Sequence, residues 1–353
     1  VGDCARAADG ISLDWTVETP GMRTRYSLLR WDDVVRARFP RPEWRRLRDV
    51  PALLMRLRRS GYQRALRKEA RRFATIIVGV HRIYLAFAAL SLALALVAAL
   101  LAPAPLVPWS LLAVAPVAYA ILALLMRLTR GKPLYVAHLV DDTAFTHDHA
   151  AGREATMPDR LAAFAARIRA TEGTADEIVV IGHSSSSFLG AQVLDLVLAT
   201  DPGFGGRGTP VSFVTLGSVI PWIALDPEAA GVRGALERVA AAKTIGWLDI
   251  RASWDWLSIH LRDPLTASGI PSPGPDRPAV MRVRIEDLIE PATIARRRWN
   301  LFRMHFQLLM SSRNPQAFDY IAFVSGPEPV HAVIERCRRE PARARCRDGH
   351  DVV

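Results

Sequence analysis

Ile178-Val179-Val180-Ile181-Gly182-His183-Ser184-Ser185-Ser186-Ser187-Phe188-Leu189-Gly190 is the stretch on which the reading of the chain turns. Four β-branched residues in succession, Ile178 to Ile181, stop at Gly182. A short apolar run bounded in this way reads as a strand buried on both faces. Beyond the glycine, Leu189, Val193, Leu194 and Val197 recur at helical spacing. The chain therefore goes from strand to helix through a very tight turn, with Ser184 at that turn.

The run Gly182-His183-Ser184-Ser185-Ser186 resembles the nucleophile elbow, G-x-S-x-G, of the α/β-hydrolase superfamily. It departs from the pattern at the last position, where Ser186 replaces the glycine that lets helix and strand approach closely. The resemblance covers about residues 133–325. It implies a strained turn that exposes the Ser184 hydroxyl, with the Ser185 N–H and the helix N-terminus aimed at a developing oxyanion. The reaction it implies is hydrolysis of an ester or thioester through an acyl-enzyme.

A serine is inert without a base, and the base needs an orienting acid. The superfamily order is serine, acid, histidine. His305, in Phe302-Arg303-Met304-His305-Phe306-Gln307, follows the last plausible strand and is the expected base; His260 lies too close to the acid-bearing loop. Asp255 is the leading acid, because functional residues of an open α/β sheet gather at the C-terminal ends of strands. Asp249, inside a strand, is the alternative, and Asp263 a more distant one. No H-G-G-G-type run supplies a second oxyanion donor. Trp222, Trp254 and Trp256 fit an apolar pocket or ordinary core packing equally well. His183, at the variable elbow position, reads as structural. Thr146-His147-Asp148-His149, near Asp141 and Asp142, fits no standard metal spacing. No metal or cofactor is expected.

Outward from the elbow, residues 133–330 read as one α/β-hydrolase-like body. Strands are expected at 135–140, 211–216, 244–250 and 281–285, and helices around Leu161, Phe164, Ala165 and Ile168 after a capping box at Thr156, and over 291–310. Alternating strands and helices imply a mostly parallel sheet with helices on both faces. Residues 331–353 form a basic tail, expected to be disordered from Glu335. In residues 1–35, Ile11, Leu13, Trp15 and Val17 alternate up to a Pro20-Gly21 turn, which reads as a hairpin, followed by a short helix capped by Asp32.

Charge and hydropathy place the rest. The net charge of +11 suggests nucleic acid, but its location argues against that partner. Residues 36–82 hold 15 Lys/Arg and 3 Asp/Glu, leaving 31 basic and 32 acidic residues elsewhere. This block, expected to be short amphipathic helices divided by Pro51 and Gly61, suits an anionic lipid surface. Two uncharged runs follow, 83–101 and 109–126, joined by a proline-rich turn. The first, at about 1.5 Å per residue, spans roughly the hydrocarbon thickness. Together, over residues 83–128, they read as a two-helix transmembrane hairpin with Trp109 at the interface, and basic flanks, including Arg127, Arg130 and Lys132, put both ends in the cytoplasm. The expected partners are the lipid bilayer and a small acyl-ester or lipid substrate. The Arg- and Ala-rich composition suggests a bacterial inner membrane. Cys4, Cys337 and Cys346 share no ligand spacing and read as free thiols. The chain opens on Val1 with no signal-peptide pattern, as expected of a fragment or a non-standard start. The rival reading is a catalytically inactive hydrolase fold acting as a membrane-tethered scaffold.

Overall fold

The computed structural model describes residues 2–130, 135–274 and 276–339. The N-terminal strands β1 (Ala5–Arg6), β2 (Ser12–Thr19) and β3 (Met22–Leu29) form an antiparallel sheet. Its hairpin turns at Pro20-Gly21, where Gly21 takes a φ of 78° that suits glycine. The hairpin is tied to the C-terminal part of the body: Thr19 Oγ1 donates to Ser325 O at 2.8 Å.

The central sheet is formed by β4 (Ile178–His183), β5 (Val211–Leu216), β6 (Ile245–Ala252) and β7 (Ala279–Val283). All neighbours are parallel and the spatial order is β4-β5-β6-β7. The pleat sends alternate residues to opposite cores. Phe213, Ile245 and Trp247 enter one, with the helix Ser186–Thr200; Val214, Leu216, Leu248 and Ile250 enter the other, with Val333 and Ile334. Helices thus cover both faces, and β4, which leads into the serine turn, lies at an edge of the described sheet. Helix and sheet approach closely at Gly190, where a Cβ would stand 2.8 Å from the Phe213 ring.

Several local expectations change. Residues 135–140 are not a strand but the start of the helix Val136–Ala150. That helix is buried on nearly every side, and a short apolar run from such a helix carries no period that separates it from a buried strand. Pro51 lies within the unbroken helix Glu43–Arg59, whose Val50 and Leu57 are buried on either side of it. Gly61, with a φ of 77°, does divide the basic block. Trp31, not Asp32, holds the cap position of Asp32–Arg38, and Asp32 pairs with Arg30 instead. Thr156 precedes Met157–Arg169 without a side-chain cap, because its hydroxyl donates to Glu154. Residues 335–339 belong to the helix Val330–Arg339, held by the burial of Val330, Val333 and Ile334. The rest of the tail, together with Lys132 and Cys346, falls outside the described residues.

Four arginines of the basic block pair with carboxylates of the body, whereas Arg58, Arg59, Arg64, Arg67 and Lys68 are exposed. Arg38 pairs with Glu154 at 2.8 Å, Arg41 with Asp148 at 2.8 Å, Arg46 with Asp141 at 2.6 Å and Arg56 with Asp226 at 3.0 Å. Next comes Arg71–Leu100, a helix of 30 residues that is long and apolar enough to cross a membrane. Its first half packs into the body through Phe73, Ala74, Ile77, Val80 and Tyr84, whereas Leu90, Leu92, Leu94, Leu96 and Leu100 are exposed. The second apolar run folds as two helical pieces, Ala104–Leu112 and Val114–Leu128, bent by 60°. Leu122 and Met126 of the latter share a core cluster with Tyr84.

Candidate active site

The elbow begins with a backbone conformation that serine rarely adopts. Ser184 has a φ of 55°, and a non-glycine residue in this region costs on the order of 1–3 kcal/mol. Two main-chain bonds hold it: Ser184 N–H donates to Leu216 O at 3.1 Å, and Ser187 N–H to Ser184 O at 2.9 Å. Gly182 permits the turn. A Cβ there would lie 2.3 Å from Ser186 O and 2.8 Å from Ser187 Cα. The close approach of strand and helix is therefore carried by Gly182 against the backbone of residue 186. This accounts for a serine at 186: the crowded position is the glycine that the sequence retains.

Ser185 holds the N-cap of Ser186–Thr200. No main-chain bond from its N–H is formed to another described residue. An unengaged amide at the positive end of a 15-residue helix suits an anion.

The expected acid and base, Asp255 and His305, meet beyond the ends of the neighbouring strands. His305 Nδ1–H donates to Asp255 Oδ2 at 2.7 Å, and Leu257 N–H donates to the other carboxylate oxygen at 3.0 Å. Both side chains are buried, with Asp255 1% and His305 3% exposed. Because Nδ1 carries the proton toward the carboxylate, Nε2 of the neutral ring presents a lone pair. That nitrogen is buried and has no hydrogen-bond partner among the described residues, so no bond joins it to the Ser184 hydroxyl.

The contacts between the elbow and the dyad run through β5 and His183. Gly217, with a φ of 52°, follows Leu216, the acceptor of the Ser184 N–H. A Cβ on Gly217 would lie 3.1 Å from Asp255 Oδ2 and 3.5 Å from His305 Cε1. Any larger residue would press on the dyad. The His183 ring stands 4.4 Å from that of His305 at a tilt of 40°, and its Nε2–H donates to His305 O at 3.2 Å. Burial, then the neighbouring His305, pushes His183 down to about 3. His183 is thus neutral at ordinary pH and fixes the backbone of the base.

The alternatives are engaged elsewhere. Asp249 accepts from Arg251 Nε at 2.6 Å and from Thr215 Oγ1 at 2.7 Å. Asp263 caps a short helix by accepting from the Leu265 and Thr266 N–H groups. His260 makes no bond to Asp255; burial, and then Arg72, push it down to about 4. Trp222 is core, edge-on to Phe73 at 5.4 Å. Trp254 packs against the second core, and Trp256 is 40% exposed.

The histidine-rich run lies on the helix Val136–Ala150, where most of these groups have their own partners. His147 bonds Asp226, His149 bonds Gln192, and Asp141 bonds Arg46. Among the described residues no group of three or more His, Cys, Asp and Glu is arranged to hold a metal ion. Sequence reasoning missed Gly217 and the Leu216 carbonyl as parts of the site. The visible signal was Gly217-Ser218 at the end of an apolar run, the place where a glycine with positive φ closes a strand.

No protein-family model matches the chain, and neither a curated protein nor a solved structure is similar to it at a significant level.

Proposed function

We propose that the protein is a membrane-anchored serine hydrolase that cleaves an ester or thioester through an acyl-enzyme. One observation carries the reading: a serine at positive φ on a strand-to-helix turn, whose preceding residue, His183, lies with its ring centre 4.4 Å from that of a histidine bonded to a buried aspartate. In this reading Ser184 Oγ attacks the acyl carbon as its proton passes to His305 Nε2. The carbonyl electrons move onto oxygen, where the Ser185 N–H stabilises the charge. The tetrahedral intermediate collapses, and the leaving alkoxide or thiolate takes the proton from Nε2. Water then repeats the sequence on the acyl-serine and releases the acid. Asp255 keeps the imidazole in the productive tautomer and stabilises its cation.

The apolar helix Arg71–Leu100, paired with the bent helices after it, serves as a two-helix anchor in a bacterial inner membrane. The positive-inside rule assigns the body to the cytoplasm. Ester substrates of the acyl or lipid type suit an enzyme held at that surface. The unpaired His305 Nε2 favours a second reading, an inactive hydrolase-like scaffold on the membrane. Labelling of the intact protein by a fluorophosphonate probe separates the two, because only an activated serine reacts. Labelling lost in Ser184→Ala supports the hydrolase; an unlabelled wild-type protein supports the scaffold.

A further inference from the structure

The segment that delivers the base has a second character. Residues 291–305 contain Arg296, Arg297, Arg298 and Arg303 and no Asp or Glu. None of these four arginines pairs with a carboxylate among the described residues, unlike those of the earlier basic block that turn inward. Between them stands Trp299, 70% exposed, with the Arg298 guanidinium 5.4 Å from its ring centre.

The same segment meets the body-side ends of both apolar helices. Phe302 packs on Tyr135 with ring centres 4.4 Å apart. The next residue, Val136, donates its N–H to the carbonyl of Thr129, which ends Val114–Leu128. On the other side Trp299 meets Trp256 at 6.4 Å, and Arg72, the second residue of Arg71–Leu100, lies 5.8 Å over Trp256. Phe306, 44% exposed, continues the aromatic surface to the His305 ring, 5.8 Å away.

We infer that residues 291–306 dock on the anionic headgroup layer of the bilayer in which the apolar helices sit, with Trp299 in the interface and Arg296, Arg298 and Arg303 against lipid phosphates. This rests on the membrane-anchored hydrolase reading and deepens it: the base would be held at the lipid surface, and the substrate would be an amphiphile resident in the same leaflet. Exposed aromatic rings favour the interfacial zone. Each basic residue near an anionic leaflet adds on the order of fivefold to binding.

The test uses the full chain reconstituted in vesicles whose phospholipids are brominated near the headgroup. One set is phosphatidylcholine alone; the other is phosphatidylcholine and phosphatidylglycerol in equal parts. The difference between the wild type and Trp299→Phe isolates the Trp299 emission. That emission should be quenched in the anionic vesicles, much less in the neutral ones, and the quenching should disappear at high salt. Arg296→Gln, Arg298→Gln and Arg303→Gln combined should weaken docking by on the order of 100-fold and remove the quenching as well. Trp299 emission that stays unquenched in anionic vesicles, or is quenched equally in both, overturns the inference. Fluorophosphonate labelling is read separately on the same sample. Quenching without labelling keeps the docking surface and removes the hydrolase; labelling without quenching removes the docking surface alone.

Discussion

The molecule contains two histidine–aspartate pairs with the same local geometry and different surroundings. In the first, His305 Nδ1 meets Asp255 at 2.7 Å; in the second, His147 Nδ1 meets Asp226 at 2.5 Å. Both pairs are buried, and both rings leave Nε2 without a partner among the described residues. The difference lies in what surrounds them. Asp226 also takes both guanidinium nitrogens of Arg56 at 3.0 Å and the Glu228 N–H at 3.0 Å. His147 stands in a helix, edge-on to Tyr62 and Trp222. It lines an apolar cavity of about 20 Å³ with Leu57, Leu66, Ile77 and His81, room for about one water. The nearest hydroxyl in that lining on its own helix, Thr143, donates to Leu139 O. The first pair touches His183, the residue before the strained serine turn, and Gly217, which follows the carbonyl that holds that turn. A histidine–aspartate bond alone therefore does not single out one pair over the other; in the proposed function the strained serine turn near the first pair makes the distinction.

The comparison breaks most sharply by substitution. Ser184→Ala and His305→Ala should each remove nearly all esterase turnover, and the two together should cost little more than the worse one, because such groups act as a unit. Asp255→Asn should lower turnover by about 10⁴, the figure of the serine-protease template. His147→Asn should leave turnover close to wild type and lower the unfolding temperature. If His147→Asn and His305→Ala were equally dead in a folded protein, the assignment of roles to the two pairs would be wrong.

The next effect is on stability. Asp226→Ala strands His147 and leaves Arg56 with Glu228 alone, and should destabilise the fold by about 3–5 kcal/mol. Chemical denaturation of the full chain in detergent measures it. A loss no larger than that of an exposed aspartate such as Asp9 would mean that the second pair is not structural either.

Acid should act through both regions. Burial lowers His147, and also lowers His183 to about 3, from 6.5. A folded value below the unfolded one contributes stability that is present above 6.5 and lost as pH falls. At Asp226, burial alone would raise the carboxyl, but the bonds from His147 and Arg56 outweigh it and hold it below the usual range. Its contribution is lost at still lower pH. Unfolding temperature should thus fall between about pH 6.5 and 3, and less steeply in His183→Asn. An unchanged slope in that variant would contradict the assignment for His183.

The smallest effect sharpens the account of the turn. Ser186→Gly, which would complete a G-x-S-x-G pattern, should change stability by less than about 1 kcal/mol. Gly182→Ala, which meets the backbone at 2.3 Å, should abolish folding or function. The reverse order would mean that Ser186 is the strained position.

What the sequence made legible follows from how local each signal is. Strand, turn and helix at 178–200 are adjacent in the chain, so period and composition expose them. Asp255 and His305 could be selected by order and by position beyond strands, although 50 residues separate them. The helix Val136–Ala150 was misread because its first residues, apolar except for His138, form a run too short to show a helical period. The inward arginines were read as a lipid-facing or solvated surface, since partners 170 residues apart, as for Arg56 and Asp226, leave no local pattern. The second pair was hidden in the same way: His147 drew notice as a possible ligand, but Asp226 lies 79 residues on.

The most direct measurement is to map, by mass spectrometry, the residue that a fluorophosphonate modifies in the intact, membrane-reconstituted protein. Modification is expected at Ser184 alone, strongly reduced in His305→Ala and retained in His147→Asn. Modification at Ser185, Ser186 or Ser187, or none at any serine in a folded wild-type protein, would contradict that expectation.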